Sequence, residues 1–419
     1  MSATAPPIHD VAHLALRLGR LMLLNGADTA HVQDAVSGFA RRFGFQAHLL
    51  VHAEGLLLTL EDASGFRTKI GRPVAGLAVN MAALVAIERI RAGASGAGIA
   101  EIEAQLDGIE HAPRRYPAWL VVIGMGLTAA SLARLFGGSW PVVGVSLLVG
   151  IVTQALRQSF AGRGTNPIAG AGLAAFGGGA TGAVAMKLFP ADSPTLCLVA
   201  AGMILVPGVP LINGVRDTVG NHVGNGIARL LFGTVTVLAI AFGLFLAAGI
   251  AGDALPVGAH FPPLPLAQDV AFSAVAGAGY ALLFNVPPRL AWACCLCALA
   301  GHGSRTALVG MGLDLPLASF AGAFVATLLA RLVGRRTGAP TVTFAFPGVV
   351  AMIPGFYAFQ AAIGGLAIMQ AGAATPVALL GETAGLAVTA MLVTAGIAIG
   401  LCLALVVPFP TSAAPRGVP

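Results

Sequence analysis

Asn213, Arg216 and Asp217 follow directly on an apolar segment broken by Pro207, Gly208 and Pro210, in the run LVPGVPLINGVRD at 205–217. Proline removes a backbone donor and obstructs the preceding turn, so a lipid-facing helix broken there would leave carbonyls unsatisfied. Such a break is stable only where protein or water surrounds it. An ionisable side chain in an apolar span costs about 2.5 to 3.5 kcal/mol to insert and is by default a functional candidate. Asp217 therefore reads as a proton carrier, or else as the ion-pair partner of Arg216 or Arg229. Asn213 is suited to hydrogen-bond an amino or carboxylate group, or to mend the backbone opened by Pro210. A second break, FPGVVAMIPGFYAFQ at 346–360, holds Pro347, Pro354, Gly355 and Tyr357. Two interrupted hydrophobic segments at corresponding positions point to a transporter's binding site. The substrate-binding candidates are thus Pro207, Gly208, Asn213, Pro354, Gly355 and Tyr357. Glu382, in the last apolar run, is a second proton-coupling candidate unless it only snorkels to the membrane surface.

Other polar residues carry weaker signals. His302 and Arg305, and separately Arg134, stand where a cation can draw an anion outward, or where a solvated loop explains them equally well. Asn25, Gly26 and Asp28 read as a helix stop and cap, or as a turn that senses substrate. His52, Ala53 and Glu54 match half of a zinc-deaminase signature, but the downstream cysteine pair is missing. Cys197, Cys294, Cys295, Cys297 and Cys402 all lie in apolar runs without the spacing of a metal site, so no metal is expected. With no G-x-S-x-G elbow and no phosphate-binding Gly-Lys motif, no cofactor is expected either. A hydrolase built on Ser37 or Ser64 with a histidine is the remaining enzymatic alternative. Gly178 with Gly182, and Gly220 with Gly224, are spaced to permit close helix packing.

The elements that position these residues are membrane helices. Of the 419 residues 57% are hydrophobic and only 10% charged, which excludes an ordinary soluble protein. Up to Tyr116 there are 11 Lys plus Arg against 11 Asp plus Glu, and beyond it 12 against 6, so the net +6 belongs to the membrane part. Arginines cluster in alternate short loops, which reads as topology with both termini inside rather than as nucleic-acid binding. The sequence divides into an α/β domain over 1–115, a five-helix membrane repeat over 116–251, and a linker over 252–267. A second five-helix repeat covers 268–410 and a tail 411–419. Within the first domain the spacing predicts helices over 11–24, 29–43, 80–91 and 99–109, one strand-like stretch over 45–59, a turn at Ser64 and Gly65, and a strand over 66–70. An odd number of spans per half inverts the second repeat relative to the first. The expected fold is therefore about ten transmembrane helices in two inverted repeats, with a small α/β cytosolic domain in front.

Four pieces resemble the threonine/serine exporter family: LLNGADTAHVQD at 23–34, the stretch from Arg115 to Ser139, LVPGVPLINGVRD, and FPGVVAMIPGFYAF at 346–359. The likeness covers nearly the whole chain, in a fused form. Asp28 keeps the acidic character usual after NGA, whereas Gln360 stands where many relatives carry a basic residue. The resemblance implies a multi-pass protein of the bacterial inner membrane that exports small hydrophilic metabolites on the proton motive force. Its implied partners are a small-molecule substrate, protons and the lipid bilayer. Threonine or serine export by proton antiport is the leading expectation, with Asp217 exchanging a proton against the substrate. A dicarboxylate exporter of succinate type is the first alternative, and a membrane-anchored enzyme or sensor acting through the N-terminal domain the second. Substrate, coupling stoichiometry and oligomeric state, a homo-oligomer included, stay open.

Overall fold

The computed structural model describes residues 7–52, 54–63, 65–74, 76, 78–93, 98–188, 194–251 and 264–408. Its N-terminal unit begins with α1 (Ile8–Leu24), whose Val11, Leu14, Leu18 and Met22 recur at helical spacing and are buried. Gly26, at φ +100°, lets the chain turn out of α1 where a side chain would be strained. Asp28 then occupies the N-cap position of α2 (Thr29–Arg42) without a capping hydrogen bond from its side chain. Three antiparallel strands follow in sequence order: β1 (Gln46–His52), β2 (Gly55–Asp62) and β3 (Gly65–Ile70). The strand-like stretch over 45–59 is thus a hairpin, with His52 opposite Gly55. The polar break between Val51 and Leu56 marks its turn. Ser64, half of the other expected turn, lies outside the described residues. Leu56, Leu58 and Leu60 of β2 are buried, and β2 packs on α1. Helices α3 (Met81–Gly93) and α4 (Ile99–Glu110) complete the unit, with Arg20 of α1 paired to Glu110 at 3.0 Å.

The rest of the described chain is helical. Its first half contains α5 (Ala118–Leu135), α6 (Trp140–Gly162), α7 (Pro167–Leu188), α8 (Pro194–Met203), α9 (Gly208–Val219) and α10 (Val223–Ala251). In its second half are α11 (Leu266–Leu283), α12 (Ala291–Gly310), α13 (Leu315–Thr337), α14 (Val342–Val350), α15 (Gly355–Ala371) and α16 (Val377–Val406). Among the described residues 8 helices are long and apolar enough to cross a membrane, or 9 if α8 and α9, bent by 60°, form one span. Helix α12, though 20 residues long, falls outside that set. His302, Ser304, Arg305 and Thr306 dilute its apolar content. Exposed Leu148, Leu231, Leu238, Phe242 and Leu392 give the bundle an oily exterior, consistent with a lipid-facing surface.

Packing in the two halves repeats. Helix α5 packs on α6, α6 on α7, α7 on α10 and α9 on α10; α11 on α12, α12 on α13, α13 on α16 and α15 on α16 use the same pairings. The halves join along α5 and α11, and reciprocally through α9 on α16 and α15 on α10. Glycine permits these close approaches. A Cβ on Gly279 would lie 2.7 Å from the Gly124 carbonyl, and one on Gly182 2.8 Å from that of Cys197. Gly224, expected to serve the same purpose, has nothing within 4 Å of its place and packs against no neighbour.

The N-terminal unit sits on one end of the bundle. At the start of α3 the free N–H groups of Met81 and Ala82 donate to the carbonyls of Phe284 and Asn285, just past the end of α11, at 2.8 and 3.1 Å. The other end of α11 meets the far end of α5, where Arg134 donates to Gln268 at 2.7 Å. These contacts define a near face, beneath the N-terminal unit, and a far face opposite.

Candidate functional site

The two breaks share one backbone geometry. Pro207 has φ −76° and ψ 61°, and Pro354 has φ −79° and ψ 49°. At each, the following glycine N–H donates to the carbonyl two residues back: Gly208 to Val206 and Gly355 to Ile353, both at 2.8 Å. These are inverse γ-turns, which a proline's fixed φ favours. The breaks also touch each other reciprocally, since a Cβ on Gly208 would collide with Ile353 and one on Gly355 with Val206. Two helix N-termini, those of α9 and α15, thus begin at one central point, and each carries a partial positive charge.

From this point α9 runs toward the near face. Asn213 is fully buried and donates from Nδ2 to the Gly26 carbonyl at 3.0 Å, while its Oδ1 accepts from Arg216 at 3.1 Å. Asp217 Oδ1 accepts the Thr29 N–H at 2.9 Å. Its Oδ2 lies 3.2 Å from Arg229 Nε of α10, in an ion pair not aligned as a hydrogen bond. Arg229 also donates to the Ala27 carbonyl at 2.9 Å, and Arg216 pairs with Asp28 at 3.1 Å. Asn225 donates to Thr29 Oγ1 and to the Val51 carbonyl. Hence the turn of Asn25, Gly26 and Asp28, singled out as a separate candidate site, is brought together with Asn213 and Asp217 into one cluster. Burial raises the Asp28 carboxyl, but the Arg216 guanidinium and then His31 outweigh it and hold the group below the usual carboxylate range. Beside the cluster opens a cleft of about 470 Å3 lined by Asp28, His31, Glu88, Arg216, Arg331 and Thr341 among others. Charges of both signs line it.

From the same centre α15 runs toward the far face. Tyr357 is half-buried and stacks edge-on against Phe136 at the end of α5, with ring centroids 6.2 Å apart. Gln360 lies five residues past Gly355, as Asn213 lies five past Gly208. Fully buried, it has no hydrogen-bond partner on either Oε1 or Nε2. A buried amide left open on both atoms is costly without a ligand or water, which makes Gln360 a site residue that the sequence reading did not place there. Its matched distance from the proline-glycine pair was the available signal.

Other candidates lie elsewhere. Glu382 is exposed near the start of α16 and is not brought into either cluster. Arg134 stacks over Trp140 and donates to the Gly138 carbonyl and to Gln268, and is not in a solvated loop. His302 is buried and bonded to Asp269 in the first turn of α11, an acid that the sequence reading does not single out. His52 and Glu54 flank the tip of the β1–β2 hairpin and are exposed, while Ala53 between them lies outside the described residues. Ser37 is in mid α2, and Ser64 is likewise outside the described residues. Among the described residues no three metal-ligating side chains converge, and Cys197, Cys294 and Cys297 are buried thiols.

Broken helices meeting inside a lipid-exposed bundle, with buried ionisable groups to either side of the meeting point, define a polytopic membrane transporter. A threonine/serine exporter profile matches residues 13–251, and a second, "Threonine/Serine exporter, ThrE", matches 269–407. The chain belongs to the threonine/serine exporter family. It is similar to a Mycobacterium tuberculosis protein named "Probable threonine/serine exporter", at 24% identity over 88% of this chain and 74% of that one. It is also similar to proteins named "Probable succinate transporter subunit YjjP" from Klebsiella aerogenes and Escherichia coli. Both are 26% identical, over 59% and 58% of this chain and 96% and 95% of theirs. No solved structure matches it.

Proposed function

We propose that this protein exports threonine or serine across the bacterial inner membrane in exchange for protons, binding the amino acid where the two proline-glycine breaks meet. The observation that carries this reading is the reciprocal contact of Gly208 with Ile353 and of Gly355 with Val206. Parting the two turns opens a space between two helix N-termini, whose N–H groups and partial positive charge suit a carboxylate. Gln360, with a donor and an acceptor free, suits the side-chain hydroxyl or the ammonium; Tyr357 stands at the exit. The near-face cleft beside Asp28 and Arg216 is the entrance from the cytoplasm.

Ten spans in two inverted five-helix repeats, with both termini and the N-terminal domain cytoplasmic, complete the proposal. Supporting it are the repeated packing and the opposite senses in which α9 and α15 leave the centre. Twenty residues of α12 give about 30 Å of helix, the thickness of a hydrocarbon core, despite its polar side chains. Asp217 is the proton carrier on the cytoplasmic side: neutralising it dissolves its pair with Arg229 and frees α9 from the Thr29 turn.

The test is efflux of preloaded labelled threonine, serine and succinate from cells, with and without a protonophore, for the intact protein and Asp217→Asn. Amino-acid efflux lost under both treatments supports the proposal. Uncoupler-sensitive efflux that survives in Asp217→Asn removes the residue from the proton path, and no amino-acid efflux at all removes the exporter reading. A dicarboxylate exporter is the second reading. Arg305, on the far-face side of the breaks and within electrostatic reach of Tyr357, favours it, as do the names of the two shorter relatives. Efflux of succinate alone selects it.

A further inference from the structure

Beyond Tyr357, on the far face, the buried side chains of Asp269 and His302 and the half-buried Arg305 form a chain. Asp269, in the first turn of α11, lies with Oδ1 2.7 Å from His302 Nδ1 of α12. His302 Nε2 lies 2.8 Å from the guanidinium of Arg305, and Thr306 donates to Asp269 Oδ2 at 2.8 Å. Asp269 and His302 are 3% and 1% exposed, so neither is a solvated surface charge. An arginine can only donate, so His302 Nε2 must accept through its one lone pair, and Nδ1 must carry the proton given to Asp269. The imidazole is therefore neutral as it stands. Arg305 itself is half-buried, bonds to no acceptor in the described structure except His302, and has further N–H groups to offer.

We infer that His302 takes up the proton that drives export, and that this proton acts by competing with Arg305 for the single lone pair on Nε2. The inference rests on the exporter reading above and specifies how its far side is coupled. With Nε2 unprotonated, Arg305 is held in place, and its free N–H groups can receive the carboxylate of a substrate moving past Tyr357. A proton arriving from outside at Nε2 removes the acceptor and sets two cations face to face. Arg305 must leave its position, and the carboxylate is released outward. Proton uptake thereby drives substrate release outward, which is the sign an antiporter needs, while slower release without it still permits exchange of one substrate for another. The balance is simple: Nε2 gains one proton, the Arg305 hydrogen bond breaks, and the Nδ1 bond to Asp269 persists as an ion pair.

The groups that face this chain are few. Helix α11 brings Asp269, α12 brings Arg305 and Thr306, and α15 brings Tyr357 near Arg305. Arg134 of α5 is engaged with Gln268, next to Asp269. Helix α13 presents Gly322, the break after α14 presents Met352, and Asp314 ahead of α13 is exposed. Among the described residues no other charge is placed to stabilise a protonated His302, so Asp269 sets how readily it forms.

The experiment uses the full protein in proteoliposomes, with labelled threonine followed in two modes: exchange at equal pH, which needs no net proton movement, and net efflux driven by an acidic exterior. His302→Gln, whose amide can still bond both neighbours but cannot titrate, is expected to keep exchange within about threefold while acid-driven efflux falls at least tenfold. Asp269→Asn is expected to shift the midpoint of the acid dependence to lower pH by half a unit or more. Unaltered acid-driven efflux in His302→Gln, or an unmoved midpoint in Asp269→Asn, overturns the inference. So does loss of both modes in a His302→Gln protein that elutes and melts like the intact one. Should His302→Gln fail to fold, the Asp269→Asn midpoint decides. If the intact protein neither exchanges nor effluxes threonine, the exporter reading falls and this inference with it.

Discussion

Gly208 of one break lies against Ile353 of the other, in the position that Val206 takes against Gly355. Neither glycine can carry a side chain without moving its partner. Gly208→Ala should therefore slow transport at least tenfold, because overpacking costs about 1 to 3 kcal/mol and here it acts at the point where two turns must part and close. Ile353→Ala in the same protein should restore much of the rate, since the colliding atom is a side-chain methyl. Efflux assays on the single and double variants check this, and a double variant no better than Gly208→Ala would mean that the contact is incidental.

Arg229 touches both Asp217 and the Ala27 carbonyl, so it ties α10, α9 and the N-terminal unit at once. Removing one member of a buried pair costs about 3 to 5 kcal/mol, because the remaining charge is left without a partner. Arg229→Gln should lower the melting temperature of the purified protein by several degrees, and Asp217→Asn added to it should recover part of the loss. Strictly additive effects would contradict a direct pair.

Glu88 of α3 lies 2.6 Å from His31 Nε2 and 2.6 Å from Arg91. Burial raises its carboxyl, but the bonds and charges of His31 and Arg91 prevail, and the group is held below the ordinary value of 4.5. A lowered value in the folded state means that Glu88 stabilises the fold above that ordinary value and ceases to do so as pH falls through the lowered one. Amide exchange of α3 should accordingly accelerate in this acid range for the intact protein and much less so for Glu88→Gln, which is already destabilised at neutral pH. Identical pH profiles would exclude the effect.

Glu382 and Asp217 offer a direct contrast between an exposed acid and a buried one. Glu382→Gln should leave threonine efflux within about twofold of the intact protein, whereas Asp217→Asn should abolish it. The reverse order in a side-by-side efflux assay would transfer the proton-carrying role to α16.

Much of this architecture is legible in the sequence because membrane helices are written in long apolar runs. Both proline-glycine breaks interrupt helices, one between α8 and α9 and the other between α14 and α15. The β1–β2 hairpin is written as two apolar runs, Leu49–Val51 and Leu56–Leu58, on either side of a short polar break that marks its turn. Tertiary pairing is harder. Asn25, Gly26 and Asp28 looked like a cap because nothing in their own neighbourhood names Asn213, Arg216 or Arg229, nearly two hundred residues on, as partners. Asp269 and His302 stand on different helices, and only the fold sets one beside the other. Gln360 is legible from its register, five residues past Gly355 as Asn213 is past Gly208.

The N-terminal unit grips both halves of the bundle. Its Gly26 and Ala27 carbonyls are held by α9 and α10, while Asn80, Met81 and Arg115 hold the segment after α11. Most of these bonds end on main-chain atoms, which any residue supplies. The covalent bridge between α10 and α11 is consequently redundant as a fastener. A chain severed there and expressed as two pieces is expected to reassemble through these bonds, whereas a side chain at Gly26 or loss of the Asp28 carboxylate should loosen the clasp.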